Sequence, residues 1–374
     1  MESSIGRISE VLLSRLFELK RKIAIIGANG LPAKYGGFET LTHYLVVELA
    51  RDFNITVYCS NLNKDKRIKS FMGATLIHLP LSANGIQGIL YDTISIIHAL
   101  FTQDTLLILG SSGTIILPVN FLFRKNIVFN FGGLDWQRAK WNVLAKWYLK
   151  LSEALGVKYS NDIIVDNSVF KDYVSEEYKK MSVIIEYGGD HVIKEVDYNF
   201  LRKYNLQGKE YFLSVSRAQE DNNIHILLNA FNLLSNKTLA VISNWGISEY
   251  GKKLKEMFQD RNNIILIDAI YDQKELDSIR AASYCYIHTH SACGSAPSLI
   301  EAMNLGLPII SFDVPANRAT TQNKALFFRD EHELIHLIQN LDDGALQKMK
   351  IESENIAREC YKWSIICKKY RELF

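Results

Sequence analysis

Cysteine is scarce in this chain: Cys59, Cys285, Cys293, Cys360 and Cys367 are odd in number and include no C-x-x-C pair. That speaks against a disulfide framework or a zinc site and for a reducing compartment. Net charge is also nearly missing, with 43 Lys and Arg against 41 Asp and Glu, so no global field steers the chain to nucleic acid. No secretory pattern opens the sequence, because charges interrupt its first residues. The longest uncharged stretch, Thr105 to Phe123, is broken by Gly110-Ser111-Ser112-Gly113 and by Pro118. A membrane span needs about 20 predominantly apolar residues, so strand, loop and helix fit better there. There is no Tyr-x-x-x-Lys pair to run short-chain dehydrogenase or epimerase chemistry. The expectation is a soluble, cytosolic protein.

What is present is ample apolar material. Hydrophobic residues make up 48% of 374, and at about 150 residues per domain the length suggests two domains. Residues 1–20 form an amphipathic extension, with Ile5, Ile8, Val11, Leu12 and Leu16 on one face and Arg7 and Arg15 among its charges. It could lie on an anionic membrane surface, or pack on its own domain or a partner subunit. Lys22 to Gly27 then reads as a buried strand, ANGLPAKYGGFET as a loop, about Glu39 to Arg51 as a helix and ITVYCS as a second strand. That order is a βαβ unit of a parallel sheet. Strands at Thr75–Leu79, Thr105–Leu109, Asn126–Phe129, Asp162–Val165 and Val183–Ile185, with helices such as Arg138–Val157, extend it to one doubly wound domain over 21–190. A second α/β series over 191–359 has strands at Tyr211–Ser216, Leu239–Ser243, Ile264–Asp268, Tyr284–His288 and Pro308–Phe312. A final helix in 360–374 carries Trp363, Ile366, Tyr370 and Phe374 at helical spacing. Two such domains place a cleft between them, a favoured location for a ligand.

The stretch from His290 to Phe312 is the most informative. A loop containing Cys293, Gly294 and Ser295 runs into Pro297, which suits a first helical turn. Free N–H groups and the positive dipole end make such a helix start an anion site. Glu301, one turn inside, is a carboxylate that could take two sugar hydroxyls. The plainer alternative is a capped core helix with a solvated Glu. The first glycine loop invites a dinucleotide reading through Gly27, Gly30 and Ala33. However, Pro32 and Lys34 interrupt the helix start, and the second strand ends at Cys59-Ser60 without an acid to hold a ribose. Gly36 and Gly37, at the helix start, are better placed to let a ligand approach the backbone.

The runs KIAIIGANGLPAKYGGFETL, GGLDWQRAKW, EYGGD, VSRAQEDNNIHILLNAF and GSAPSLIEAMNLGLPIISFDVPANRATTQNKALFF resemble bacterial family-4 glycosyltransferases, closest to the rhamnosyltransferase-like branch that builds capsule and exopolysaccharide units. The resemblance implies a GT-B fold, an α/β class of two facing Rossmann-like domains, with the last helix crossing back to the first. It implies retaining transfer of a sugar from a nucleoside diphosphate without a bound metal or other cofactor, and there is no Asp-x-Asp. By the same resemblance Glu301 grips the ribose, Ser298 and Leu299 lie where backbone N–H groups meet the diphosphate, and Arg217 binds that diphosphate. Ile270 and Tyr271 hold the base.

Three departures stand out: Cys293 replaces the first Glu of the family's E-x7-E pattern, Asn222 replaces a Lys, and Gly132 stands where an acid is expected. Asp135 and Glu39 are candidates for orienting acceptor or sugar, or are surface or capping carboxylates. The expected partners are a nucleotide-sugar, with dTDP-rhamnose favoured over UDP- or GDP-hexoses, and a polyprenyl-diphosphate-linked saccharide at the inner membrane face. Peripheral membrane contact and a homodimer are further expectations, and nucleic acid is not a partner. A nucleotide-sugar epimerase, a non-catalytic nucleotide-sugar binder and an NAD enzyme are the rival readings.

Overall fold

The computed structural model describes residues 20–33, 36–60, 68–137, 141–292 and 294–374. The amphipathic stretch before Lys20, and Cys293, lie outside the described residues.

Ile23 to Ile26 are fully buried, as a strand with both faces covered must be. This strand, β1 (Lys22–Ile26), pairs in parallel with β2 (Asn54–Ser60) on one side and β5 (Thr105–Leu109) on the other. With β3 (Ser70–Phe71), β4 (Ala74–Leu79), β6 (Asn126–Asn130), β7 (Asp162–Val165) and β8 (Val183–Ile184), the sheet order is 3-4-2-1-5-6-7-8. Only the β3–β4 hairpin is antiparallel. The second sheet holds β9 (Tyr211–Val215), β10 (Thr238–Ser243), β11 (Ile264–Asp268), β12 (Cys285–His288), β13 (Ile309–Phe312) and β14 (Leu326–Phe328). It is wholly parallel in the order 11-10-9-12-13-14. Each sheet reverses its winding direction once, between β1 and β5 and between β9 and β12, and ligands of such sheets bind outside the strand ends at that point.

Several elements differ from their sequence reading. The first helix starts at Gly37, two residues early, because Gly36 at φ 124° turns the chain directly into it. The helix expected from Arg138 begins at Val143, where the Asn142 side chain accepts the Ala145 N–H at 2.9 Å and sets the boundary. Thr105 to Phe123 is realised as β5, a glycine loop, a 3-10 turn over Thr114–Val119 and a short helix over Asn120–Phe123. No helix among the described residues is long and apolar enough to cross a membrane. The β3–β4 hairpin, β14 and the helices Glu331–Gln339 and Asp343–Cys360 were not individually anticipated.

The domains are joined twice. The chain first crosses at Glu186-Tyr187-Gly188-Gly189-Asp190, then returns through the helix Trp363–Arg371. Trp363 stacks on Tyr44 of the first domain (4.4 Å between centroids, 13° between planes) and lies edge-on to Tyr187. A Cβ on Gly188 would sit 2.4 Å from the Trp363 ring, so that position has no room for a side chain. Asp190 Oδ1 accepts the Trp363 N–H at 2.8 Å, and Lys369 pairs with Glu186 at 2.5 Å. Farther along, Asn130 donates to the Tyr370 hydroxyl and Asn126 to the Leu373 carbonyl. One apolar core, containing Leu41, Leu45, Ile300, Trp363 and Tyr370, runs through both domains.

Candidate active site in the interdomain cleft

Because both sheets are parallel, the loops after their strands open on a common edge, and the two edges face each other. From the first domain comes the turn at Gly36-Gly37. A Cβ on Gly37 would lie 3.4 Å from Pro297 Cγ, the first residue of the helix Pro297–Asn304. The two elements expected to meet phosphate thus lie against each other across the cleft. Gly36 is required for a second reason: a Cβ there would stand 2.0 Å from Glu39 Oε2.

Glu39 folds back over that turn and accepts the Asn29 N–H at 2.7 Å. Burial raises its pKa, opposed by the Asn29 bond and by the positive field of Arg217 from the other domain. Arg217 itself is exposed in the loop after β9. Its guanidinium and the Glu39 carboxylate therefore share the cleft. Asn222 is buried beneath, donating its amide to the Arg217 carbonyl at 2.7 Å. In this structure it shapes the loop that carries the arginine.

Glu301 has one carboxylate oxygen 2.6 Å from Arg280 Nη2 and the other 3.3 Å from His191 Nε2. Burial pushes its pKa up, but Arg280 and His191 outweigh burial and hold it below the ordinary glutamate range. The Trp363 indole donates to His191 Nδ1 at 3.1 Å, so the neutral ring carries its proton on Nε2, facing Glu301. Arg280 is held in turn by buried Asp277 at 3.1 Å. A carboxylate fixed on both oxygens retains lone pairs for hydroxyls and cannot swing away from them. Leu299 is buried and gives its N–H to Ala296 O at 3.0 Å, while Ser298, beside it, is half-buried. Ile270 packs on the core and Tyr271 is exposed, both just past β11, on the same edge.

The acceptor-side loop after β6 explains one departure in the sequence. Gly132 has φ 68°, and a Cβ there would come within 2.7 Å of Phe38 Cζ. The Phe38 ring fills the space in which an acidic side chain would stand, so glycine at this position is a packing requirement. Asp135 opens the 3-10 turn Asp135–Gln137 that follows. Beneath it Lys150 lies 4.8 Å over the Trp136 ring and 5.0 Å over the Tyr173 ring, with Tyr173 donating to buried Glu153 at 2.8 Å.

Asp166, just after β7, was not anticipated. Its Oδ2 accepts the Ser295 N–H at 2.6 Å, and Ser295 Oγ donates to its carbonyl at 3.0 Å. A Cβ on Gly294 would meet the same carboxylate at 2.0 Å. The Gly294-Ser295 turn is thus clasped by a carboxylate of the opposite domain, whose Oδ1 is shielded and has no hydrogen-bond partner among the described residues. Burial raises the Asp166 pKa to about 6 against the lowering effect of the Ser295 N–H. Asp166, Arg280, His191 and Phe38 carried no motif. A polar or aromatic residue at a strand end reads as a turn or cap until its partner is known.

Comparison with known proteins agrees with this geometry. Residues 199–349 match the family described as glycosyl transferases group 1, and residues 20–190 match a domain of unknown function (DUF1972). A curated relative, glycosyltransferase 1 domain-containing protein 1 of Xenopus tropicalis, is 22% identical over 142 residues. These make up 37% of this chain and span about two fifths (41%) of that protein. Among solved structures, sucrose-phosphate synthase from Thermosynechococcus elongatus superposes with a TM-score of 0.80 at 15% identity, covering 95% of this chain and 98% of that one. Anabaena HepE in complex with UDP-glucose gives 0.72 at 13% identity, covering 94% and 98%. A protein described as a UDP-N-acetylglucosamine 2-epimerase from Listeria monocytogenes gives 0.63 at 14%, covering 94% of each chain. Residues 199–349 are a group 1 glycosyltransferase domain, and the chain as a whole has the GT-B fold.

Proposed function

We propose that the protein is a retaining glycosyltransferase that moves a hexose from a nucleoside-diphosphate sugar to a lipid-linked saccharide in bacterial surface polysaccharide synthesis. Rhamnose from dTDP-rhamnose is the favoured donor and a polyprenyl-diphosphate-linked saccharide the favoured acceptor. The observation that carries the reading is the meeting of Gly36-Gly37, Arg217 and the Glu301 helix at the facing switch points. The UDP-glucose in Anabaena HepE supports a nucleotide-sugar donor.

In this reading Glu301, fixed by Arg280 and His191, takes the ribose hydroxyls. The N-terminus of its helix and Arg217 neutralise the diphosphate as the glycosidic bond opens. An exposed, mobile guanidinium suits a bidentate partner that arrives with the substrate. The acceptor hydroxyl attacks from the face the diphosphate leaves, and a donor phosphate oxygen takes its proton. The protein then supplies position and charge, and no dedicated base, metal or other cofactor is assigned. Glu39 and Asp135 orient sugar and acceptor.

The test is a thermal-shift panel of nucleoside diphosphates and nucleotide-sugars, since a ligand of the folded state raises the melting temperature. It is followed by transfer assays with the donor that binds. Arg217→Ala is expected to cut turnover about 10²-fold or more while leaving the melting temperature of the free protein unchanged. Full activity in that variant would overturn the assignment. Donor turnover without any acceptor would favour an epimerase.

A further inference from the structure

The outer helical layer of the first domain is apolar where solvent should be. On the helix Ile86–Thr102, Ile86, Leu90, Ile94, Ile97 and Phe101 are all exposed. Their spacing of four, four, three and four residues places them on one stripe. The inward side of the same helix, with Tyr91, Ile96, Ala99 and Leu100, is buried against the sheet, so the outward stripe is not part of the core. Beside it, Phe101 meets Phe123 edge-on at 4.7 Å, and Phe121 and Leu122 are 76% and 73% exposed. Leu144 and Trp147, exposed at 74% and 63%, continue the layer on the helix Val143–Tyr159. All three elements rest on one shared core through Tyr91, Leu117 and Val157. Apolar residues scattered singly need no explanation, whereas a layer of this extent does.

The charges decide what covers it. On these three elements the acids are Asp92 and Glu153, and both are buried. The charges left near the surface are basic: Arg124 and Lys125 beside Phe121 and Leu122, and Lys146 and Lys158 along the last helix. A second copy docked face to face would set these cations against their own images. An apolar layer studded with aromatics and rimmed by Lys and Arg matches the headgroup boundary of an anionic bilayer.

We propose that this face of the first domain, centred on Phe101, Phe121, Leu122 and Trp147, seats the protein on an anionic lipid surface. The proposal rests on the lipid-linked acceptor assigned above and names the surface that brings the enzyme to it. The layer lies on the domain whose loops carry Asp135 and Gly132, so an enzyme lying on it presents its acceptor side at the height of the headgroups.

The test is co-sedimentation of the full chain with phosphatidylglycerol–phosphatidylethanolamine vesicles and with phosphatidylcholine vesicles, without substrate, so that it does not depend on catalysis. Binding should be at least tenfold tighter to the anionic vesicles. It should drop at least tenfold in Phe121→Ser/Leu122→Ser and weaken in Arg124→Glu, while nucleoside-diphosphate binding stays at the parent level as proof of folding. Undiminished vesicle binding in the Phe121/Leu122 variant would overturn the proposal. So would a dimer, seen by light scattering, that this variant dissociates while the parent ignores vesicles. Vesicle binding with no transfer to any acceptor would leave this surface standing and defeat the transferase reading instead.

Discussion

At the residue scale the site is governed by carboxylates held in opposite electrostatic conditions. Glu301 is held ionised, because two cationic or donating partners outweigh its burial. Its stabilising contribution is therefore complete above the unfolded glutamate pKa of about 4.3 and lost as pH falls through the lower folded value. Asp166 runs the other way. With a folded pKa of about 6 against about 3.9 unfolded, it favours the folded state below pH 4, and that contribution disappears as pH rises through 6. Asp92, raised to about 7 by burial against its bond from Ser112, extends the loss to neutrality. Asp166→Asn should flatten the stability profile between pH 4 and 6, and Asp92→Asn the portion up to pH 7. Both are measurable by urea unfolding across pH. Gly132→Asp, which restores the acid expected from the family resemblance, should instead destabilise the fold by about 1–3 kcal/mol. The new side chain must displace Phe38 and adopt a left-handed backbone, and the loss would appear as a lower denaturation midpoint. A stable, fully active variant would show that Phe38 moves freely.

At the scale of elements, the returning helix Trp363–Arg371 does more than complete a core. Its tryptophan stacks on Tyr44, caps the hinge at Gly188 and orients His191 toward Glu301. Trp363→Ala should cost about 3–5 kcal/mol. It should also free His191 from its tautomer-setting donor, so nucleotide binding is expected to weaken along with stability. Trp363→Phe retains the stack and loses only the indole donor. It should keep most of the stability while still weakening nucleotide binding, which isothermal titration would reveal. Sequence periodicity had already located this helix and most strands to within one or two residues, since an apolar run between glycine-rich turns is a local signal. Its partners were out of reach. Trp363 meets His191 172 positions away in the chain, and Asp166 meets Ser295 129 positions away. No window along the sequence contains such a pair.

For the whole molecule, each sheet contributes loops to one cleft, and the cleft is closed by contacts as small as Gly37 on Pro297. The order 11-10-9-12-13-14 puts Arg217 and the Glu301 helix on adjacent strands although they are far apart in sequence. The apolar outer layer of the first domain is likewise a product of assembly. The uncharged stretch around Thr105 to Phe123 is visible in the sequence, but only packing decides which of its residues face the core and which face outward.

Glycine placement, strand-length apolar runs and the Pro297 helix start were sufficient to identify two Rossmann-like domains and a phosphate-directed cleft, because each depends on residues close together in the chain. The tertiary structure alone decided that Glu301 is fixed by Arg280 and His191, that Phe38 requires Gly132, and that Asp166 clasps Gly294-Ser295. These are contacts between distant segments, and their chemistry is set by burial and neighbouring charge, which exist only once the chain has folded.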